Sequence, residues 1–166
     1  MRILFLFIGF LFLSSNSISQ SNWTLIGETK IEGYTGKRIP KGFFFKTTAG
    51  DYFITNKKAK NEMPLQDPTV EVFKNGTSYK LKFKESETPL FATKIKNVIE
   101  TQHKGVFKGL EDGAYFKMMN GQTWVQFSTR HRDAWLIEPK VVIYKLRGHW
   151  YMIVEDFNET IMVYLL

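Results

Sequence analysis

A chain of 166 residues that is 43% hydrophobic and 16% aromatic is too apolar to be disordered and long enough for one ordinary domain or two small ones. It contains no cysteine, which excludes disulfides, thiolate metal sites, thiol nucleophiles and a lipidated cysteine behind a leader. Its 23 Lys plus Arg against 16 Asp plus Glu leave a net charge of +7, which favours an anionic partner over a cationic one.

Met1 and Arg2 are followed by an unbroken apolar run over residues 3–13, then SSNSIS before Gln20. A bilayer span takes about 20 apolar residues, so this shorter run reads as a signal peptide over residues 1–19, cleaved before Gln20. Export follows, to a bacterial periplasm or exterior, with a soluble chain after cleavage. The missing cysteines point away from a eukaryotic secretory route, where small domains usually carry bridges.

Beyond the leader the chain alternates and turns like a β-protein. KIEGYTGKRI is followed by FFFKTT and DYFIT around Ala49-Gly50, by TVEVFK and SYKLKF around Asn75-Gly76, and by PLFATKI. The pattern then restarts: NVIETQHKGVFKG, AYFKMM and QTWVQF around Asn120-Gly121, KVVIYK and HWYMIVE around Arg147-Gly148, and TIMVYLL. Asn120-Gly121 predicts a two-residue type I′ hairpin. A shift of 71 residues aligns Gly42 with Gly113, Phe45 with Phe116, Lys46 with Lys117, Gly50 with Gly121, Leu65 with Leu136, Pro68 with Pro139, Val70 with Val141 and Lys74 with Lys145. Chance pairing over that stretch gives roughly two or three identities. The chain is thus expected to hold tandem repeats over residues 20–96 and 97–166. Each predicts a small antiparallel β-barrel, closed or half-closed, SH3-like in first place and OB-like in second.

Strand alternation then sorts faces. Phe45 and Phe116 should fill two cores while Lys46 and Lys117 see water. In the first repeat Tyr79, Leu81 and Phe83 alternate with Lys80 and Lys82, which predicts one wet face. The second repeat carries Val142, Tyr144, Tyr151 and Ile153 at the corresponding outer positions, so this hairpin is apolar on both sides and needs a partner. The first repeat, a second copy of the chain and a foreign protein are the three possibilities.

The segment NGQTWVQ, residues 120–126, preceded by GLEDGAYFKM and followed by EPKVVIYK, resembles an uncharacterised family of small secreted or periplasmic bacterial domains. The positions that carry the resemblance are Phe116, Lys117, Asn120, Gly121, Gln122, Trp124, Gln126, Pro139, Val141, Ile143 and Tyr144, within residues 98–166. The first repeat departs from the pattern with Ala49, Asp51, Phe53 and Thr55. The resemblance implies a compact exported domain and no particular activity.

Catalysis is not expected. His103, His131 and His149 lack metal-ligand spacing, no nucleophile and base can be paired, and neither a phosphate-binding glycine loop nor a calcium loop occurs, so no cofactor or metal is implied. Binding is the better expectation. Trp124 between Gln122 and Gln126 on one strand face could form a polar platform for a ligand. The loops KKAKNEM and TRHRDAW occupy the same place in the two repeats and are basic, offering Lys57, Lys58 and Lys60 in the first and Arg130, His131, Arg132 and Trp135 in the second. Residues 21–95 hold 13 basic against 8 acidic residues and residues 96–166 hold 9 against 8, so the first repeat is the electrostatic half. These features suit a non-catalytic envelope-associated module that binds an anionic polymer, with membrane-surface contact possible and nucleic acid not expected. A protein-partner or inhibitor module using the apolar hairpin, and an enzyme with a site invisible to sequence, are the alternatives.

Overall fold

A computed structural model describes residues 22–86, 88–157 and 159–166. The expected signal peptide lies outside the described residues. The fold is all-β. The first repeat contributes β1 (Thr24–Lys30), β2 (Tyr34–Thr35), β3 (Arg38–Ile39), β4 (Phe44–Lys46), β5 (Tyr52–Thr55), β6 (Ala59–Lys60), β7 (Leu65–Gln66), β8 (Thr69–Asn75), β9 (Ser78–Phe83) and β10 (Pro89–Ile95). The second contributes β11 (Val98–Gln102), β12 (Val106–Leu110), β13 (Tyr115–Lys117), β14 (Thr123–Gln126), β15 (Arg132–Ile137), β16 (Lys140–Leu146), β17 (His149–Val154) and β18 (Thr160–Leu165).

Each repeat forms one six-stranded antiparallel sheet, ordered β1-β8-β9-β10-β5-β4 and β11-β16-β17-β18-β14-β13, which is the same order in repeat coordinates. Neither sheet is closed. The edges of each touch at one isolated bridge, Ile31 with Thr47 and His103 with Met118, so the sheets curl almost into barrels around their cores. The short ribbons β2-β7 and β3-β6 in the first repeat, and β12-β15 in the second, are separate from the main sheets.

Phe45, Phe53, Leu81 and Phe83 fill the first core, and Phe116, Trp124, Ile143 and Met152 the second. The hairpin expected at Asn120-Gly121 is built differently. Met118 pairs with Gln122 through its N–H, so the loop holds three residues, and of these only Gly121 has a positive φ, of 86°. Gly121 N–H donates to Met118 O at 3.1 Å, closing a turn through Met119 and Asn120. The two-residue turn with both φ angles positive occurs instead at Arg147-Gly148, at 50° and 89°.

Only Lys96 and Asn97 separate β10 from β11, and the repeats pack together through a third apolar cluster. Ile54, Ile95 and Tyr144 are buried in it, with Phe44, Tyr52, Val98, Leu146, Tyr151 and Ile153 packed around them. Phe44 stacks on Tyr144 with ring centroids 4.6 Å apart, and Tyr144 stacks on Tyr151 at 5.5 Å. Lys46, expected in water, is instead half-buried, and its Nζ donates to Glu100 Oε1 across the seam at 3.0 Å, where the Tyr52 hydroxyl donates as well.

These bonds make the seam sensitive to pH at both ends. The bonds from Tyr52 and then Lys46 lower the pKa of Glu100, while Glu100 raises that of Lys46. Burial, then the bond to Glu100, raises Tyr52 above its ordinary value of 10.0, and burial pushes Tyr144 up to about 12. The carboxylate contribution is complete above the ordinary value of 4.5 and is lost as pH falls through the lowered folded value. The lysine and tyrosine contributions are complete below their ordinary values near 10 and are lost as pH rises through the raised ones. Proteolysis at Lys96 in the link should therefore stay slow between about pH 5 and 10 and quicken on either side. Glu100→Gln should remove the acid limb and leave the alkaline limb set by Tyr144.

Candidate functional site: a basic groove on the first repeat

The ribbon β3-β6 is two residues deep, and its register decides its chemistry. Ile39 faces Ala59, while Arg38 lies directly opposite Lys60. Ile39 is buried, so the pair Ile39 and Ala59, with Pro40, makes an apolar floor. Arg38, Lys58 and Lys60 are exposed and rim a groove of about 600 Å³ over it. Lys37, Lys41 and Lys57 stand beside these in the chain and are exposed too.

Like charges directly opposite on paired strands repel. Among the described residues, none of Lys37, Arg38, Lys41, Lys57, Lys58 and Lys60 forms an ion pair, whereas Lys46, Lys84, Lys94 and Lys140 each have one. Lys57 instead places its ammonium 5.0 Å from the centroid of Phe91. The groove thus offers uncompensated cations on an apolar base, which can take a chain of anionic groups joined by less polar links. Its lining residues are three cations and three apolar residues, with no carboxylate, imidazole or hydroxyl among them. Sequence reasoning found Lys57, Lys58 and Lys60 but missed Arg38, because the ribbon register that joins it to Lys60 is not written in either segment alone.

The loop of the second repeat differs. Arg130 and Arg132 both reach Glu159, at 3.6 and 2.7 Å, and Arg132 lies over Phe157 while donating to its carbonyl oxygen at 3.3 Å. His131 is exposed, with Nε2 3.7 Å from Asp133 Oδ1. This loop is largely charge-compensated and so is a poor anion site. Trp135 and Ile137 project outward from β15, at 71% and 76% exposure, because Ala134 and Leu136 turn toward the core. A cleft of about 210 Å³ beside this loop includes His103, Glu111, Tyr115, His131 and Asp133. His103 is buried there with its ring edge-on to Phe107 and Phe116. Among the described residues no group of three or more His, Asp or Glu side chains could hold a metal ion.

The platform expected around Trp124 is corrected by burial. Trp124 is fully buried, packed edge-on against Trp150 at 5.2 Å, and cannot meet a ligand. Gln126 is buried as well and works as a loop clamp: its Nε2 donates to Ser128 O at 2.9 Å and to Arg130 O at 2.7 Å, and its Oε1 accepts from Glu111 N–H at 3.2 Å. Gln122 Oε1 accepts from Asn120 Nδ2 at 2.9 Å and belongs to the turn. Of the hairpin residues, Tyr144, Tyr151 and Ile153 lie in the seam with the first repeat, and Val142 stands half-buried opposite Ile153.

No family model matches the chain, and no curated protein or solved structure is significantly similar to it.

Proposed function

We propose that the protein is a non-catalytic, exported binding module of the bacterial envelope, whose first repeat holds an anionic polymer in the groove between β3 and β6. The observation that carries this reading is the cross-strand pair Arg38 and Lys60, with Lys58 beside it, without carboxylate partners among the described residues and above an apolar floor. The repeats are read as SH3-like half-barrels of the small exported type that the second repeat resembles. The groove's lining of cations over apolar groups suits holding an anionic chain.

The test is co-sedimentation of the chain from Gln20 onward with purified cell-wall sacculi and with anionic vesicles, at low and physiological salt. A basic residue at an anionic surface contributes about 1 kcal/mol, so Arg38→Ala combined with Lys60→Ala should weaken binding about 30-fold. Binding to sacculi that outlasts physiological salt supports polymer recognition, since exposed charges more than about 8 Å apart are then screened. Preference for vesicles would assign the groove to membrane surfaces, and binding untouched by the double substitution would remove the groove from the account. Trp135→Ala supplies the second reading. Its exposure beside Ile137 suits stacking on a polymer or a protein partner, and salt-resistant binding lost in that variant alone would move the site to β15.

A further inference from the structure

The seam between the repeats is heterologous. The first repeat presents the outer side of β4 and β5 as an acceptor, through Phe44, Lys46, Tyr52 and Ile54, and the second presents the outer side of β11, β16 and β17 as a donor, through Val98, Glu100, Tyr144 and Tyr151. Because the chain is a tandem repeat, it also carries an unused acceptor and an unused donor. On the 71-residue shift the acceptor recurs on the second repeat as Tyr115, Lys117 and Thr123, while Val125, at the position of Ile54, is already covered at 2% exposure. Tyr115 is 65% exposed, and Tyr164 extends its apolar surface, standing opposite Val125 on β18.

The unused donor lies on the first repeat, and strand register identifies it. Val98 stands opposite Tyr144 and Glu100 opposite Val142; correspondingly, Leu25 stands opposite Phe73 and Glu28 opposite Glu71. Leu25 and Ile26, at the bulge of β1, are both more than half exposed although apolar. Most telling is the ion pair. Lys46 and Glu100 join the repeats, and their counterparts Lys117 and Glu28 are both present on the free faces. Lys117 has no ion pair among the described residues, and Glu28 is held by the exposed Lys84 at 2.6 Å.

We infer that a second copy of this chain docks its first repeat on the second repeat of its neighbour, repeating the internal seam with Glu28 of one copy on Lys117 of the next. A heterologous contact that reuses one rotation builds a ring if it closes and a filament if it does not. The intermolecular contact is weaker than the internal one. Lys80 and Lys82 replace Tyr151 and Ile153, although Lys80 already lies 4.6 Å from the Phe73 ring and 5.1 Å from the Trp23 ring. Assembly is therefore reversible and concentration-dependent. It does not rest on the polymer-binding reading, because no residue lining the groove belongs to either face.

Sedimentation velocity across a concentration series tests it. The chain from Gln20 onward should grow progressively in mass with concentration instead of stopping at a dimer. Lys117→Glu alone and Glu28→Lys alone should each lose the growth, because like charges then meet at every junction. Mixing the two variants should restore it, since both junctions formed in the mixture pair opposite charges, and so should the doubly exchanged chain. Tyr115→Glu should abolish association in any of these combinations, with circular dichroism confirming that each variant stays folded. A chain that remains monomeric at millimolar concentration, or one whose association ignores both charge reversals, overturns the inference.

Discussion

Tyr144→Ala should separate the two repeats: the protein loses cooperative unfolding and shows two transitions in denaturant where the native chain shows one. Tyr144 is 2% exposed, stacks on Phe44 of the first repeat and on Tyr151 of its own, and lies at the middle of the seam. Truncating a buried aromatic side chain typically costs about 3–5 kcal/mol, and the cavity left here lies between the cores, not within either. Each repeat retains its own core, centred on Phe45 and Phe53 in one and Phe116 and Trp124 in the other, so the loss falls on their coupling. Tyr144→Phe keeps the ring stack and should retain a single transition. Should Tyr144→Ala unfold in one step with its midpoint unchanged, the seam would contribute nothing to stability.

The seam also shows how far the sequence could be read. Val142, Tyr144, Tyr151 and Ile153 alternate with core residues, so a hairpin apolar on both sides is legible in the residue pattern alone. The ion pair of Lys46 with Glu100 is not, because these residues stand 54 positions apart and each looks like an ordinary solvated side chain. Trp124 misleads for a different reason. Alternation establishes that Gln122, Trp124 and Gln126 share a face but not which face is inside, and a buried glutamine satisfied by loop carbonyls leaves no mark in a hydrophobic pattern. The same holds for the basic loops. Lys57, Lys58 and Lys60 look equivalent to Arg130, His131 and Arg132 in sequence, yet Glu159, arriving from the far end of the chain, pairs with both arginines of the second set, while among the described residues the lysines of the first set have no carboxylate partner.

Gly109→Ala should be the most damaging small substitution in the β12-β15 ribbon of the second repeat. Gly109 lies at the bulge in β12, at a φ of 109°, where its backbone comes so close to β15 that an added Cβ would fall 2.0 Å from the carbonyl oxygen of Arg132 and 2.8 Å from the N–H nitrogen of Ala134. Both obstacles are backbone atoms, so no side chain can rotate away. A strained φ and a forced strand separation together imply about 3–5 kcal/mol, against about 1 kcal/mol for Gly121→Ala, whose φ is also positive but whose Cβ would meet open space. The damage should be local. Parting β12 from β15 frees Asp133 and Trp135, which hydrogen exchange would register as lost protection over residues 106–110 and 132–137, while the main sheet stays protected. The 71-residue shift places Arg38 at the position of Gly109, where the first repeat breaks its ribbon into β2-β7 and β3-β6. That interruption is what lets a long cationic side chain stand where the second repeat admits only glycine. Equal loss of stability in Gly109→Ala and Gly121→Ala would show that the close approach of β12 to β15 is relaxed in solution.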